Sequence, residues 1–310
     1  MPNRILSSFS LGDMKLIYIE DDAGHVGMSL VPGSLSDKAG PEKQNADSLV
    51  QLYIRGDGLP GAFAAGVTMS QSESSSRMVY ESQSTDTAGG ETRITTVLSD
   101  GRGYKAKHVV IHKNGSRAVK TKTIFENKSD EPVVLEYISS FSLGMLTPFG
   151  GIDETNSLIL HRARSWWSAE GKAESGSVLD YHLEQSWSHF GVRAEKFGQV
   201  GSMPVRHYFP FAAVEDKKAG VVWAAQLAIP SSWQIEFRRP GDPLCLTGGL
   251  ADHDFGHWMK TVESGGSFET PEAYLTAGVG SADAVSQRLL DLHSHSQNVK
   301  AKAGKGLPVV

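Results

Sequence analysis

The sequence predicts an all-β protein, a large two-sheet antiparallel β-sandwich, and three observations carry that reading. Its 33 glycines and 13 prolines are scattered along all 310 residues, as turn punctuation between many short strands. The runs between them are rich in Val, Ile, Thr and aromatic residues, which suit a pleated, half-buried surface. A helical period appears only near the C-terminus. A chain of this length can build a large core, either as one big β unit or as two domains.

Strands are expected at 15–20, 49–55, 92–98 and 107–112, each bounded by Gly, Asp, Asn or Ser. Residues 120–126 and 133–138 flank the polar turn Asn127-Lys128-Ser129-Asp130-Glu131-Pro132 and read as a hairpin, with Pro132 at an edge-compatible position. Residues 221–227 and 233–238 continue the pattern. Trp233-Gln234-Ile235-Glu236-Phe237-Arg238 alternates strictly, which predicts a sheet with one wet face. Segment 30–48 and the Ser-rich stretch 70–92 are expected to be long surface loops. One helix is expected from Ser281, a good N-cap, with Asp283 in its first turn and Val285, Leu289 and Leu292 on one face. It ends in polar residues including His293 and His295, whose spacing keeps them from facing one ligand.

The chain closes on Lys300-Ala301-Lys302-Ala303-Gly304-Lys305-Gly306, a linker composition, and then Leu307-Pro308-Val309-Val310, which reads as the opening of a further strand. The expected division is a β body over 1–280, a linker helix over 281–299, and a linker with the start of a missing unit over 300–310. Part of the function is then expected to lie beyond Val310.

Charge and composition narrow the function classes. A formal net charge of -5 with both signs interspersed offers no basic stripe for a phosphate backbone, so nucleic acid is not expected as a partner. The N-terminus lacks the apolar core of a signal peptide and no run reaches transmembrane length, so a cytoplasmic protein without membrane contact is expected. The single cysteine, Cys245, fits a reducing compartment and reads as a small buried residue. Asn114-Gly115-Ser116 and Asn127-Lys128-Ser129 match the glycosylation sequon, which carries no meaning in a cytosolic chain.

Few residues suggest chemistry directly. His253-Asp254-Phe255-Gly256-His257 has metal-like residue types, but two imidazoles four apart converge on one ion when they lie on a helix, and Gly256 argues against one. No metal or cofactor is therefore expected within this chain, and no catalytic carboxylate pair can be picked from spacing, because only the fold brings such a pair together. Tryptophans next to arginines and histidines, as at Trp166-Trp167, Trp187 and Trp258, suit carbohydrate, because an indole face stacks on the C–H surface of a sugar. Most of the six tryptophans are nonetheless expected in the core. Trp166 and Trp167 are the pair expected to be partly exposed, since neighbours on a strand point to opposite faces. Arg55-Gly56-Asp57-Gly58 is a turn by composition, in which Asp57 would bond its own backbone; the loop that follows, through Ser70, gives it added interest.

Several segments together resemble the N-terminal β-domain of bacterial α-galactosidases of glycoside hydrolase family 36. Gly265-Gly266-Ser267-Phe268-Glu269-Thr270-Pro271-Glu272-Ala273 resembles the family's Gly-x-Ser-Phe-x-Thr-Pro-Glu segment, with Phe255 and Trp258 at matching positions before it. Leu307-Pro308-Val309-Val310 resembles the opening of the family's catalytic barrel, and Gly56-Asp57 through Thr68-Met69, Phe125-Glu126-Asn127-Lys128 and Phe209-Pro210-Phe211 are further matches. The resemblance implies a β-supersandwich of galactose-mutarotase-like fold packed on a (β/α)8 barrel, retaining hydrolysis of α-galactosides, and homo-oligomers in which an N-terminal-domain loop closes a neighbour's active site. It places the nucleophile and the acid/base beyond Val310, so this chain alone is expected to be inactive. Asp57, Trp166 and Trp167 are the residues through which it would meet an α-galactoside oligosaccharide. The residues themselves equally allow a stand-alone, lectin-like carbohydrate-binding sandwich, or a domain serving only folding and assembly. Phe255 and Trp258 are expected to be buried near the Phe268 strand.

Overall fold

A computed structural model of the chain describes residues 3–43, 45–59, 66–149, 157–185, 191–203 and 206–296, with side chains as far as residue 292. Trp187, the 60–65 part of the loop after Asp57, the side chains of His293 and His295, and the linker and strand expected at 300–310 lie outside the described residues.

In chain order the strands are β1 (Arg4–Leu11), β2 (Met14–Glu20), β3 (Val26–Pro32), β4 (Leu52–Ile54), β5 (Val79–Ala88), β6 (Glu91–Ser99), β7 (Tyr104–Lys113), β8 (Val119–Asn127), β9 (Val133–Leu146) and β10 (Leu158–Arg164). They continue as β11 (Lys172–Ser177), β12 (Val192–Gln199), β13 (Tyr208–Asp216), β14 (Val221–Leu227), β15 (Trp233–Pro240), β16 (Leu244–Leu250), β17 (Lys260–Val262), β18 (Ser267–Glu269) and β19 (Ala273–Val279). A short α1 (Glu73–Arg77) precedes β5, and α2 (Ala282–Ser296) follows β19.

Two antiparallel sheets form the sandwich. The ten-stranded sheet runs β11-β10-β13-β14-β19-β8-β7-β6-β5 with β18 also paired to β8, and the six-stranded sheet runs β12-β15-β16-β9-β17 with β4 also on β9. Their facing sides share one core that includes Phe125, Phe141, Trp223, Trp233, Ile235 and Phe237. A third, three-stranded sheet, β1-β2-β3, adds to the two expected. It is tied in where the indole of Trp223 donates to the Leu30 carbonyl at 2.6 Å. The expected helix forms as α2, and Val285 and Leu289 pack with Ala213, Val222 and Ala224 of the large sheet. No helix among the described residues is long and apolar enough to cross a membrane.

Several expectations need correction. The segments 120–126 and 133–138 do not form a hairpin. β8 pairs with β7, β18 and β19, whereas β9 pairs with β16, β17 and β4, so the 127–132 turn arches from one sheet to the other. Both edges of β8 are already occupied, and its buried alternate residues face the core rather than a following strand. Asn127 fixes the arch, donating from Nδ2 to the carbonyls of Glu131 at 2.8 Å and Val262 at 3.0 Å. The stretch 70–92 is not a loop but holds α1 and β5, an edge strand paired to β6. Its Ser, Thr, Gln and Asp side chains are wet on both faces, so no apolar period marks it. Within 30–48, Leu30–Pro32 completes β3 and Asp47 is buried, leaving the 33–43 stretch in short 3-10 turns.

The tryptophans match expectation only in part: the exposure of Trp166 and Trp167 was expected, the half-burial of Trp258 was not. Trp223 and Trp233 fill the core, but Trp258 is half-buried and Trp166 and Trp167 are exposed. The last two are not on a strand: β10 ends at Arg164, so the turn beyond it, not strand alternation, brings them to the surface. Phe255 and Trp258 are half-buried rather than buried, with Trp258 against Phe268 at a ring separation of 5.2 Å.

Asn127→Ala removes the donor to the Val262 carbonyl and one of two donors to the Glu131 carbonyl, which keeps Ser129 Oγ at 3.0 Å, and should cost about 1–2 kcal/mol, read as a lowered urea midpoint at unchanged slope. A midpoint equal to wild type would show that the arch is held by other contacts.

Candidate functional site

The loop that begins at Asp57 leaves the end of β4 and returns at Ser72, and its two ends are fastened together. The Asp57 carboxylate accepts from the Ile54 amide at 2.9 Å, Ser72 Oγ at 3.1 Å and Ser74 Oγ at 2.9 Å. The Tyr53 hydroxyl donates to the Asp57 carbonyl at 2.7 Å, and the Glu73 amide to the Gly58 carbonyl at 3.2 Å. Ser72 caps α1, accepting from the Ser75 amide. Asp57 therefore bonds more than its own turn: both of its carboxylate oxygens shape the base of the loop.

Beneath the returning arm lies a dry, charged floor on the outer face of the six-stranded sheet. Trp233, Ile235 and Phe237 of β15 face the core, which sends Gln234, Glu236 and Arg238 to the opposite side. That side was expected to be wet, yet all three are buried, because residues 45–51 and 66–72 cover it. Arg238 Nη2 donates to Asp47 at 2.6 Å, and its Nε lies 3.2 Å from Glu236 without the alignment of a hydrogen bond. Burial disfavours the Arg238 charge, but Asp47, Cys245 and Glu236 together outweigh it and the pKa rises. Burial likewise pushes the Glu236 carboxyl upward, against the pull of Arg238. Ser70 Oγ donates to Glu236 at 3.0 Å, Gln71 Nε2 to Asp47 at 3.1 Å, and the Gln71 amide to Gln51 Oε1 at 2.7 Å. These bonds hold Gln71 at φ 57, a left-handed conformation unusual for glutamine. Gly144 makes the close approach possible, since a Cβ there would stand 2.5 Å from that of Asp47. Nearby, Lys196 bridges Asp252 at 3.0 Å and Asp254, and His253 lies 2.9 Å from Met69.

His25 secures the far end of α1. Its Nδ1 faces Asp21 Oδ2 at 2.8 Å and its Nε2 faces the Ser76 carbonyl at 2.9 Å. Both partners are acceptors, so the ring satisfies both only when it carries two protons. Burial opposes that charge, while Asp21 and the Ser76 carbonyl more than offset it and raise the pKa.

Trp166 and Trp167 stand elsewhere, and share no contact with Asp57. Trp166 packs on His207 with ring centroids 4.3 Å apart, while Trp167 is 93% exposed. Behind them Arg162 lies over the rings of Tyr181 at 4.9 Å and Tyr208 at 5.0 Å. It pairs with Glu174 of β11 and, across to the other sheet, with Glu195 of β12 at 2.8 Å. Burial works against the Arg162 charge and the two carboxylates outweigh it. An exposed indole beside arginine-held carboxylates is chemistry that can stack on and hydrogen-bond a sugar. Cys245 is buried, its thiol pushed up by burial, as its apolar context implied. Among the described residues no group of three or more His, Cys, Asp and Glu side chains is placed to hold a metal ion.

No family model and no curated protein matches the sequence. Solved structures do match. A variant of the GH36 α-galactosidase AgaA from Geobacillus stearothermophilus, in complex with stachyose, aligns at a TM-score of 0.66 and 14% identity over 93% of this chain and 43% of its own. AgaB from the same organism aligns at 0.64 and 13% over 93% and 42%. The chain has the fold of part of a GH36 α-galactosidase. An α-galactosidase from Lactobacillus brevis aligns at 0.64 and 12%, again over 93% of this chain and 41% of its own. The chain thus spans about two fifths of the length of the GH36 enzymes it matches.

Two outcomes follow from the geometry. Asp47→Ala leaves Arg238 buried beside only a poorly aligned partner and should cost about 3–5 kcal/mol in chemical denaturation, whereas Glu236→Gln, which keeps an acceptor for Ser70, should cost much less. A raised histidine pKa stabilises the fold fully below the unfolded value of about 6.5, and that share is lost as pH rises through the raised folded value. Thermal unfolding across that window should therefore show a fall that His25→Gln abolishes.

Proposed function

We propose that this chain is the non-catalytic N-terminal domain of an α-galactosidase that hydrolyses terminal α-galactosides with retention, and that it supports the catalytic barrel, assembly into homo-oligomers and closure of the active site. The observation that carries this reading is the match over 93% of the chain to about two fifths of GH36 enzymes, at identities too low for the sequence comparison to find. The GH36-like segment 265–273 supports it, because it lies in the sandwich as β18 and the entry to β19, both paired to β8. On this reading the sandwich occupies 1–280, α2 with its continuation to 299 links it onward, and 300–310 begins the barrel.

Retaining hydrolysis needs two carboxyl groups about 5 Å apart, one as nucleophile and one as acid/base. The proposal places both in the barrel. The loop from Asp57 then closes a neighbouring subunit's active site, and Asp57 acts there as a positioning residue that sets the loop's base. Trp166 and Trp167 would offer a stacking face to the outer sugars of an α-galactoside oligosaccharide. Two solved neighbours were crystallised with such compounds, stachyose in one and raffinose in the other.

The 310-residue chain should not turn over p-nitrophenyl α-galactoside, and the chain extended through a barrel should. In the extended enzyme Asp57→Ala should raise KM or lower kcat while the protein still folds. Turnover by the 310 residues alone, inhibited by galactose and absent from a mock purification, would place the active site here and overturn the proposal.

A further inference from the structure

A row of polar side chains crosses the core-facing side of the ten-stranded sheet. Gln83, Thr96, His108 and Thr123 stand opposite one another on β5, β6, β7 and β8. The last three are wholly buried, and Ala106 and Val110, on either side of His108 along β7, belong to the shared core. Gln83 Nε2 donates to Thr96 Oγ1 at 2.9 Å, and the Thr123 amide donates to Thr270 Oγ1 at 3.0 Å. His108 is the member of the row that can take up a proton.

Its hydrogen bonds fix the form it holds. His108 Nε2 lies 2.8 Å from Thr121 Oγ1, and the Thr121 hydroxyl donates at 3.4 Å to the Ser140 carbonyl of β9, in the facing sheet. A hydroxyl has one proton to give, so Thr121 accepts from the ring. The proton of the neutral imidazole therefore sits on Nε2, and Nδ1 is bare. Nδ1 is buried and has no bonding partner among the described residues. A proton arriving there creates a buried N–H without an acceptor and a buried charge without a counterion, both of them costly.

No carboxylate offsets that charge. Around the ring stand Thr96 of β6, Thr121 and Thr123 of β8 and Ser140 of β9, while Tyr18 of β2, its own pKa raised by burial, stands beside Thr96. The other titratable side chain on this face of β7 is His112, which bonds the Ser116 carbonyl at 3.0 Å. The charged residues of these strands, Lys107, Lys122 and Glu126 among them, fall on the opposite face. Burial alone acts on His108, and it pushes the pKa down to about 3.

We propose that His108 is an acid switch for the sandwich: neutral, it lets the two sheets close through Thr121 and Ser140, and a proton taken from water onto Nδ1 opens them. The fold can accept that proton only by exposing the ring, so protonation and opening are one event. A histidine whose folded pKa is depressed contributes its full share of stability above the unfolded value of about 6.5, and that share is lost as pH falls below it. His25 acts in the opposite sense, its share being complete below the same value. The switch lies within the sandwich and is independent of the Asp57 loop and of any barrel.

Urea unfolding of the 310-residue chain at about pH 7.5 and about pH 5, on either side of the unfolded histidine value, tests it in wild type and His108→Gln. The glutamine amide keeps a donor for Thr121 and takes up no proton. Relative to the variant, the wild-type unfolding constant should rise about thirtyfold from the higher pH to the lower, as a shift from about 6.5 to about 3 requires. His25 is common to both chains and cancels in the comparison. If the variant fails to fold, the wild-type ring decides: its nitrogen NMR shifts should show a neutral imidazole with the proton on Nε2 in the folded chain at about pH 5. A ratio unchanged between the two pH values, or a folded chain in which His108 is already charged at the lower one, would overturn the proposal.

Discussion

The contact on which the candidate site depends is the buried pair between Arg238 and Asp47. The two residues stand 191 apart in the sequence, and both are withdrawn from water. A pair of this kind adds little net stability over apolar packing, yet losing either partner strands a charge in a medium that cannot solvate it. Its effect is to dictate arrangement. Asp47 can reach Arg238 only if the 45–51 segment crosses the outer face of the six-stranded sheet and Gly144 leaves room beneath it.

Once that crossing is fixed, other parts have little freedom. Gln51 and Asp47 present acceptors at the place where Gln71 must end the loop, and Glu236 presents one to Ser70. Asp57 joins the departing arm of the loop to the start of α1, and His25 joins the end of α1 to the β2–β3 turn. The loop is thereby anchored at both ends to a sheet whose other face is the sandwich core. If the loop closes a neighbouring active site as proposed, it gains from such a base, because ordering it at the moment of closure would otherwise cost conformational entropy. The Trp166–Trp167 turn has no such floor and projects from the β10–β11 edge.

Much of the fold was legible because burial on one face leaves a period in the sequence. Strands such as β6 and β8, and the apolar face of α2, announce themselves in this way. Where neither face or both faces are buried the period fails. β5 is wet all round and reads as a loop. β15 keeps its alternation but hides its polar face under distant segments, which no local pattern can report. The arch between β8 and β9 has the composition of a hairpin turn; only the prior occupation of β8's edges sends the chain to the other sheet. For the site, Asp57 was marked by its turn, and the exposure of the tryptophan pair was expected, though for a reason the turn replaces. Asp47, Glu236 and Arg238 were not marked, because each owes its role to a partner far along the chain. The one available signal was a glutamate and an arginine two apart on the polar face of a strand with an apolar opposite face, Glu236 and Arg238.

Native-state hydrogen exchange of the amides of Leu52, Gln71 and Ser75 tests most directly whether the buried pair pins the loop base. These amides bond to Ser75 Oγ, Gln51 Oε1 and Ser72 Oγ, all within the anchored corner. If the corner opens only with the whole fold, their opening free energies should match those of the β14 and β15 amides and should fall selectively in Asp47→Asn. Free exchange of these three amides, with β14 and β15 still protected in the wild-type chain, would contradict it.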